Sequence, residues 1–385
     1  METEKHMKRY QKQLAKTDIL YRPYLDQDIQ NAVNGVDACV MTPILNLFVV
    51  WLLKEAERKK IRHLFFLARD SYPLYLIAGQ YCEKLQLKLK CSYFYCSRYS
   101  LRVPMYSENT QEALDHVCRG GIDVTLRKIL IRSGFELQKA EELREYFEMD
   151  RELDAVIPYP ELKNIKKELS ANKKYMEMLR SVSTSKRDTV YRYFRQEGML
   201  EEKIGIVDSG WTGTTQKSIN KIRKKCGCRT GVEGYYFGLY ETPPGYDPRK
   251  YHSFYFSPKK EIMNKVFFSN CFVETILSAP HGTTMGYKET DGRIVPVLAP
   301  YRAENKEKTE AFLETLKSYT GRMMSLCSAD DIRKTDIRKD RAILQKSLRS
   351  FMWNPSPGEA EYYGTLQFSD DLLDDHMQDL AVRMS

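Results

Sequence analysis

Apolar and polar positions are grouped in blocks whose periods change along the chain. Ile44 to Leu53 is the most apolar stretch, opened by Pro43 and closed by Lys54 and Glu55. Its length and its proline in the first turn predict a buried helix over 43–60. Ile61–Ala68 is an apolar run of strand length. It ends in Arg69-Asp70-Ser71, and a second helix follows from Tyr72. Lys90–Cys96 repeats the strand pattern and ends in Ser97-Arg98. Helix, strand, polar turn and helix in succession is the rhythm of a parallel sheet with crossovers.

From 107 to 200 the pattern becomes helical and charged, with periodic segments at Glu112–Val117, Leu126–Ile131, Ala140–Phe147, Glu161–Leu179 and Lys186–Gln196. This block reads as an insertion capping an active site. The sheet resumes at Ile204–Val207, which runs into the turn Asp208–Thr215 and a basic helix from Gln216 to Lys225. Gly231–Tyr240 is a further strand, and Pro243-Pro244-Gly245 marks a boundary. The predicted fold is α/β: a Rossmann-like, mostly parallel sheet flanked by helices, with a helical insertion and a mostly helical C-terminal region. The predicted divisions are a helical or loose arm over 1–40, a core of 41–106 and 201–245, the insertion at 107–200, and a C-terminal region from 246 to 385.

Composition narrows the class. The chain has 385 residues, 42% hydrophobic and 29% charged, as in an ordinary folded protein. Its net charge of +9 suits a small anionic ligand. There is no long basic tract or aromatic-basic motif, so nucleic acid is not the expected partner. The apolar stretch at 44–53 is about half of the roughly 20 residues a spanning helix requires, so no membrane span is expected. Nine cysteines, an odd number without metal spacing, suggest reduced thiols and a cytoplasmic setting.

Three segments could carry chemistry. The first is the turn containing Asp208, Ser209, Gly210, Thr212, Gly213, Thr214 and Thr215. Glycines let backbone approach a phosphate, amides at a helix start point at it, and the hydroxyls can donate as well. The plainer alternative is a helix start whose glycines serve the turn alone. The second is the set of strand ends, Arg69-Asp70, Ser97-Arg98 and Asp208, where open parallel sheets bind ligands. Either arginine could clamp a phosphate, and Asp70 could act as a nucleophile or, with Asp208, as a magnesium ligand. Otherwise Asp70 caps the next helix. The third is the run around Glu274, a carboxylate in an apolar setting and a candidate base, followed by His281 on a loop.

Taken in order, Thr42-Pro-Ile-Leu, Leu64-Phe-Phe-Leu-Ala-Arg-Asp-Ser, Tyr95-Cys-Ser-Arg, Val207-Asp-Ser-Gly-Trp-Thr-Gly-Thr-Thr-Gln, Val273-Glu-Thr-Ile-Leu-Ser-Ala-Pro and Pro355-Ser-Pro-Gly-Glu-Ala resemble the haloacid-dehalogenase-type hydrolases encoded among bacterial surface-polysaccharide genes. The likeness is to the portion downstream of their Asp-x-x-Asp-Thr nucleophile motif, which has no counterpart before residue 40 here. It implies a phosphohydrolase using Asp70, with Ser97 as the second-strand hydroxyl. The turn is also similar to the phosphate loop of phosphoribosyltransferases. That likeness implies a phosphosugar or nucleotide-sugar ligand, with Asp208 on ribose hydroxyls and Arg69 and Arg98 near a pyrophosphate. A third reading is a non-catalytic partner of glycosyltransferases in glycan assembly.

Overall fold

Strand β1 (His63–Leu67) is buried along its whole length. Its alternate residues feed two different cores: Leu64 and Phe66 join one, Phe65 and Leu67 the other. A strand covered on both faces is the signature of a parallel sheet between helical layers. The computed structural model, which describes residues 2–25, 35–121, 123–369 and 377–381, has that architecture. Part of the predicted 1–40 arm, residues 26–34, lies outside the described residues.

Helix α1 (Glu2–Leu14) is followed by α2 (Thr42–Arg58), β1, α3 (Tyr72–Lys84), β2 (Lys90–Phe94) and α4 (Arg98–Arg102). The insertion continues with α5 (Thr110–Val117), α6 (Leu126–Arg132), α7 (Ala140–Tyr146), α8 (Leu162–Ala171) and α9 (Lys173–Glu197). Then come β3 (Ile204–Trp211), α10 (Thr214–Lys225), β4 (Glu233–Leu239), β5 (Tyr251–Phe256), α11 (Ile262–Val266) and α12 (Asn270–Ile276). A hairpin of β6 (Thr284–Thr290) and β7 (Arg293–Leu298) precedes α13 (Lys306–Leu326), α14 (Ala329–Lys334), α15 (Ile337–Trp353) and α16 (Pro357–Gly364).

Strands β1 to β5 form one parallel sheet in the order β2-β1-β3-β4-β5. The order reverses between β1 and β3, and a crevice opens beyond the strand ends at such a switch point. The connection from β2 back over β1 to β3 carries the insertion, so the insertion stands above that crevice. On one face, α2 and α3 pack with α1 and the C-terminal helices. Tyr10, Leu14, Phe312 and Leu348 are buried there, so the N-terminal segment is a packed helix and not a loose arm. The apolar helical stretch Asp37–Arg58 is long enough to cross a membrane, but 89% of its most apolar window is buried inside the protein.

Three boundaries differ from expectation. The fifth strand, β5, lies beyond the Pro243-Pro244-Gly245 boundary, so the core sheet reaches Phe256. Two separate helices expected around 161–196 become α8 and a single 25-residue α9. The break falls at Asn172, whose side chain accepts from the Tyr175 amide at 3.0 Å. The Ser/Thr-rich middle of α9 stays helical through packing, because buried Ser183 bonds Ser107. Finally, β3 runs on to Trp211, which shortens the predicted turn to Thr212 and Gly213.

The long helix α9 joins two cores. Its first half, with Tyr175, Met176 and Leu179, belongs to the insertion's own apolar cluster. Its second half, with Val190, Tyr193 and Phe194, packs on the sheet beside Phe65 and Phe94. The basic helix α10 is also engaged: Lys217 bonds Glu112 at 2.9 Å, Lys221 bonds the same carboxylate, and Lys225 bonds Glu108. The i, i+4, i+8 spacing places these three lysines on one helical face, against the insertion.

Candidate functional site

A cavity of about 740 Å³ opens where the strand ends meet the insertion. Its floor carries three carboxylates: Asp70 from the loop after β1, Asp208 from β3 and Glu274 from α12. The side chain of Ser209 donates to Asp70 at 2.6 Å, and Ser71 donates to the carbonyl of Val207 at 3.0 Å. These two bonds staple the β1 loop to β3 and fix Asp70 at the switch point. Asp70 is therefore held by a neighbouring strand; the α3 N-cap position belongs to Ser71. The indole Nε1 of Trp211 donates to Glu274. Trp211 has a φ of +75°, a conformation that non-glycine residues rarely adopt, and its ring sits against Phe256 and Phe268.

The three acids are held toward their neutral forms. Burial, with Asp70 and Glu274 nearby, pushes Asp208 up to about 7, against the pull of Arg98. Burial and the Asp70 charge likewise push Glu274 up to about 7, opposed by Arg98 and the Trp211 bond. Burial also raises Asp70, while Ser209, Arg69 and Arg98 act the other way. Carboxyl groups poised near neutrality are suited to giving and taking protons.

The roof is basic. Arg98 and Arg102 stand at i, i+4 on α4, and Arg119 and Arg132 bring the insertion's charge to the cavity, beside His116. With Arg69 and Arg302, six arginines face three carboxylates, so the lining is net positive. Among the described residues, Arg98, Arg102 and Arg119 have no hydrogen-bond or ion-pair partner for their guanidinium groups. Burial, then the neighbouring Arg98, lowers Arg102 to about 10. Burial and Arg102 lower His116 to about 4. Cations held together in this way favour an anion between them.

The anticipated phosphate turn is partly rebuilt. Thr212, Thr214 and Thr215 line the cavity at the start of α10, which has no side-chain N-cap. The hydroxyls of Thr212 and Thr214 are 3.3 Å apart. The glycines have structural causes. A Cβ on Gly210, whose φ is +118°, would lie 2.1 Å from the Gly238 carbonyl oxygen on β4. Gly213 has a φ of +60° and faces Tyr251, outside the cavity lining. Both are therefore required by the sheet and the turn, and Gly210 also borders the cavity.

Two further candidates have partners of their own. Ser97 caps α4: its hydroxyl accepts from the Ser100 amide at 3.0 Å and donates to the Thr284 carbonyl at 2.6 Å. It borders the cavity, but its proton is already engaged. His281 is outside the cavity lining; its Nε2 meets the Tyr93 hydroxyl and its Nδ1 the Gly282 carbonyl, both at 2.8 Å. The carbonyl can only accept, so Nδ1 carries the proton and Nε2 accepts from Tyr93. Sequence reasoning missed the whole basic roof except Arg98. Only Arg102 had a signal, its spacing of four from Arg98 on a helix. Nothing local marks His116, Arg119 or Arg132.

No group of three His, Cys, Asp or Glu side chains that could hold a metal ion exists among the described residues. No disulfide joins the cysteines. Compared with known proteins, the chain matches no family model and no curated protein.

Proposed function

We propose that this chain is an enzyme acting on a phosphorylated sugar or nucleotide-sugar held in the 740 Å³ cavity. The observation that carries the proposal is the facing of two charged walls. Arg98, Arg102 and Arg119, which make no hydrogen bond or ion pair through their guanidinium groups among the described residues, stand opposite three carboxylates held toward neutrality. The arginines and the free amides at the start of α10 take the phosphate groups. Asp208 and Glu274 accept hydroxyl groups of the sugar and move the proton of the reacting hydroxyl. Asp70 and Asp208 fall short of a protein-made metal site. They fit the mode in which magnesium is held by one or two carboxylates and completed by substrate phosphates. Such an ion would neutralise phosphate charge.

Isothermal titration with phosphoribosyl pyrophosphate and a panel of nucleotide-sugars, with and without magnesium, tests this reading. Arg98→Met and Arg102→Met should each weaken binding at least tenfold, and Asp208→Asn should remove turnover while binding remains. A panel without any binder sinks the reading. The surface-polysaccharide setting and the cytoplasmic location rest on resemblance and composition, and they guide which nucleotide-sugars are tried first. A phosphatase reading is favoured by the place of Asp70 at the end of β1 beside the switch point. It predicts a phosphoryl group covalently trapped on a peptide containing Asp70, which the first reading does not.

A further inference from the structure

Helix α4 separates two cavities. Arg98 and Arg102 face the polar cavity just described. Ser100 and Val103 face a second one, of about 570 Å³, on the other side. Apolar groups dominate its wall: Val103, Ile131, Phe135, Met285, Leu298 and Pro300. They come from α4 and its continuation, from α6 and the loop after it, and from the β6–β7 hairpin and the segment that follows it. Tyr99 and Arg302 line both cavities, so these two side chains form the wall that the two spaces share.

The groove also has a cation. The ammonium group of Lys186, from α9, lies 5.8 Å from the centre of the Tyr99 ring. Burial lowers its pKa, with Glu136 acting against that. Glu136 borders the groove but is paired with Lys139 at 2.8 Å. Positive charge therefore gathers on both sides of the partition, with the apolar wall behind it. A ligand matching this sequence of surfaces has an anionic head and an apolar tail.

We propose that the second cavity is a subsite for the apolar part of the substrate, so that the ligand is an amphipathic phosphate ester. Its phosphate lies among Arg98, Arg102 and Arg302, and its tail passes Tyr99 into the groove. This inference rests on the proposed phosphate site and narrows its substrate class.

The test is calorimetric titration of the full chain with inorganic phosphate and with butyl, hexyl and octyl phosphate below micelle-forming concentrations. Each buried methylene contributes about a fourfold gain in affinity, so octyl phosphate should bind on the order of 100-fold tighter than butyl phosphate. Leu298→Asp, at a half-open position, and Met285→Trp, which fills the groove, should both flatten this dependence. Binding of inorganic phosphate, which has no tail to place in the groove, should be unchanged in both. Affinity that ignores tail length while phosphate still binds overturns the subsite and leaves the phosphate site standing. A tail-length dependence that both variants retain also overturns it, since the tail would then lie elsewhere. Failure of every phosphate, including phosphoribosyl pyrophosphate, removes the phosphate site and the subsite with it.

Discussion

Replacing Asp208 with asparagine should make the protein more stable, increasingly so as pH rises. In the folded chain, burial and the nearby acids carry this carboxyl from its ordinary 3.8 to about 7. A displacement of that size corresponds to about 4 kcal/mol against the charged form. Water in the cavity and the coupling to Asp70 and Glu274 reduce what is measurable, and about 2 kcal/mol between pH 5 and pH 8 is the expected figure. The sign follows from proton counting. Between 3.8 and 7 the folded state holds a proton that the unfolded chain has lost, so wild-type stability falls as pH rises through that window and levels off above it. Asparagine keeps the shape and never ionises, so the variant lacks this slope. For a chain of 385 residues, 2 kcal/mol moves the melting midpoint by about 2 to 3 °C. Thermal denaturation of both proteins from pH 5 to pH 9 reads it directly. A difference independent of pH, or an asparagine variant less stable at pH 8, would refute the view that Asp208 carries an uncompensated charge. A stabilised variant without turnover would be the trade-off expected where a group is kept for chemistry.

Gly210→Ala should cost about 3 kcal/mol or more in urea denaturation, because the added carbon meets the Gly238 carbonyl and the backbone has a positive φ; a loss below about 1 kcal/mol contradicts this. Glu112→Gln should cost about 1 kcal/mol in low salt and progressively less as salt screens the lysines of α10. Burial would raise Glu112, but the bonds from Lys221 and Lys217 hold it at about 2, so its contribution is present above pH 4.5 and lost as pH falls toward 2. Ser97→Ala should cost about 1 kcal/mol by removing the α4 cap and should also weaken phosphate binding, since Arg98 and Arg102 ride on that helix; unchanged affinity would show that the cap positions nothing.

The sheet was legible because its strands are short apolar runs bounded by polar turns, and because a doubly covered strand such as His63–Leu67 is apolar from Leu64 to its end. The floor of the site was legible for the same reason: Asp70 and Asp208 are polar residues at or near the ends of such runs, where side chains must face the crevice. Glu274 stood out as a charge among apolar neighbours. The roof was not legible. Arg119 and Arg132 lie in a helical block full of charge, and only its folding back over the switch point distinguishes them from exposed neighbours such as Arg180. The end of β3 misled for a related reason. Glycine and serine at 209–210 look like a turn, and only the close approach of Gly238 shows that they continue a strand.

Because the 25 residues of α9 belong to both apolar clusters, the insertion and the sheet do not melt as separate bodies. Freeing the insertion requires unwinding the helix that also covers Phe65 and Phe94, so its unfolding free energy is drawn from the sheet as well as from itself. Cooperativity is thereby spread across the site. Arg119 and Arg132, which lie in the insertion, are tied through this helix to the sheet that carries Asp208. Their separation from Asp208 is a property of the native state as a whole, and thermal fluctuation of one wall alone cannot easily change it.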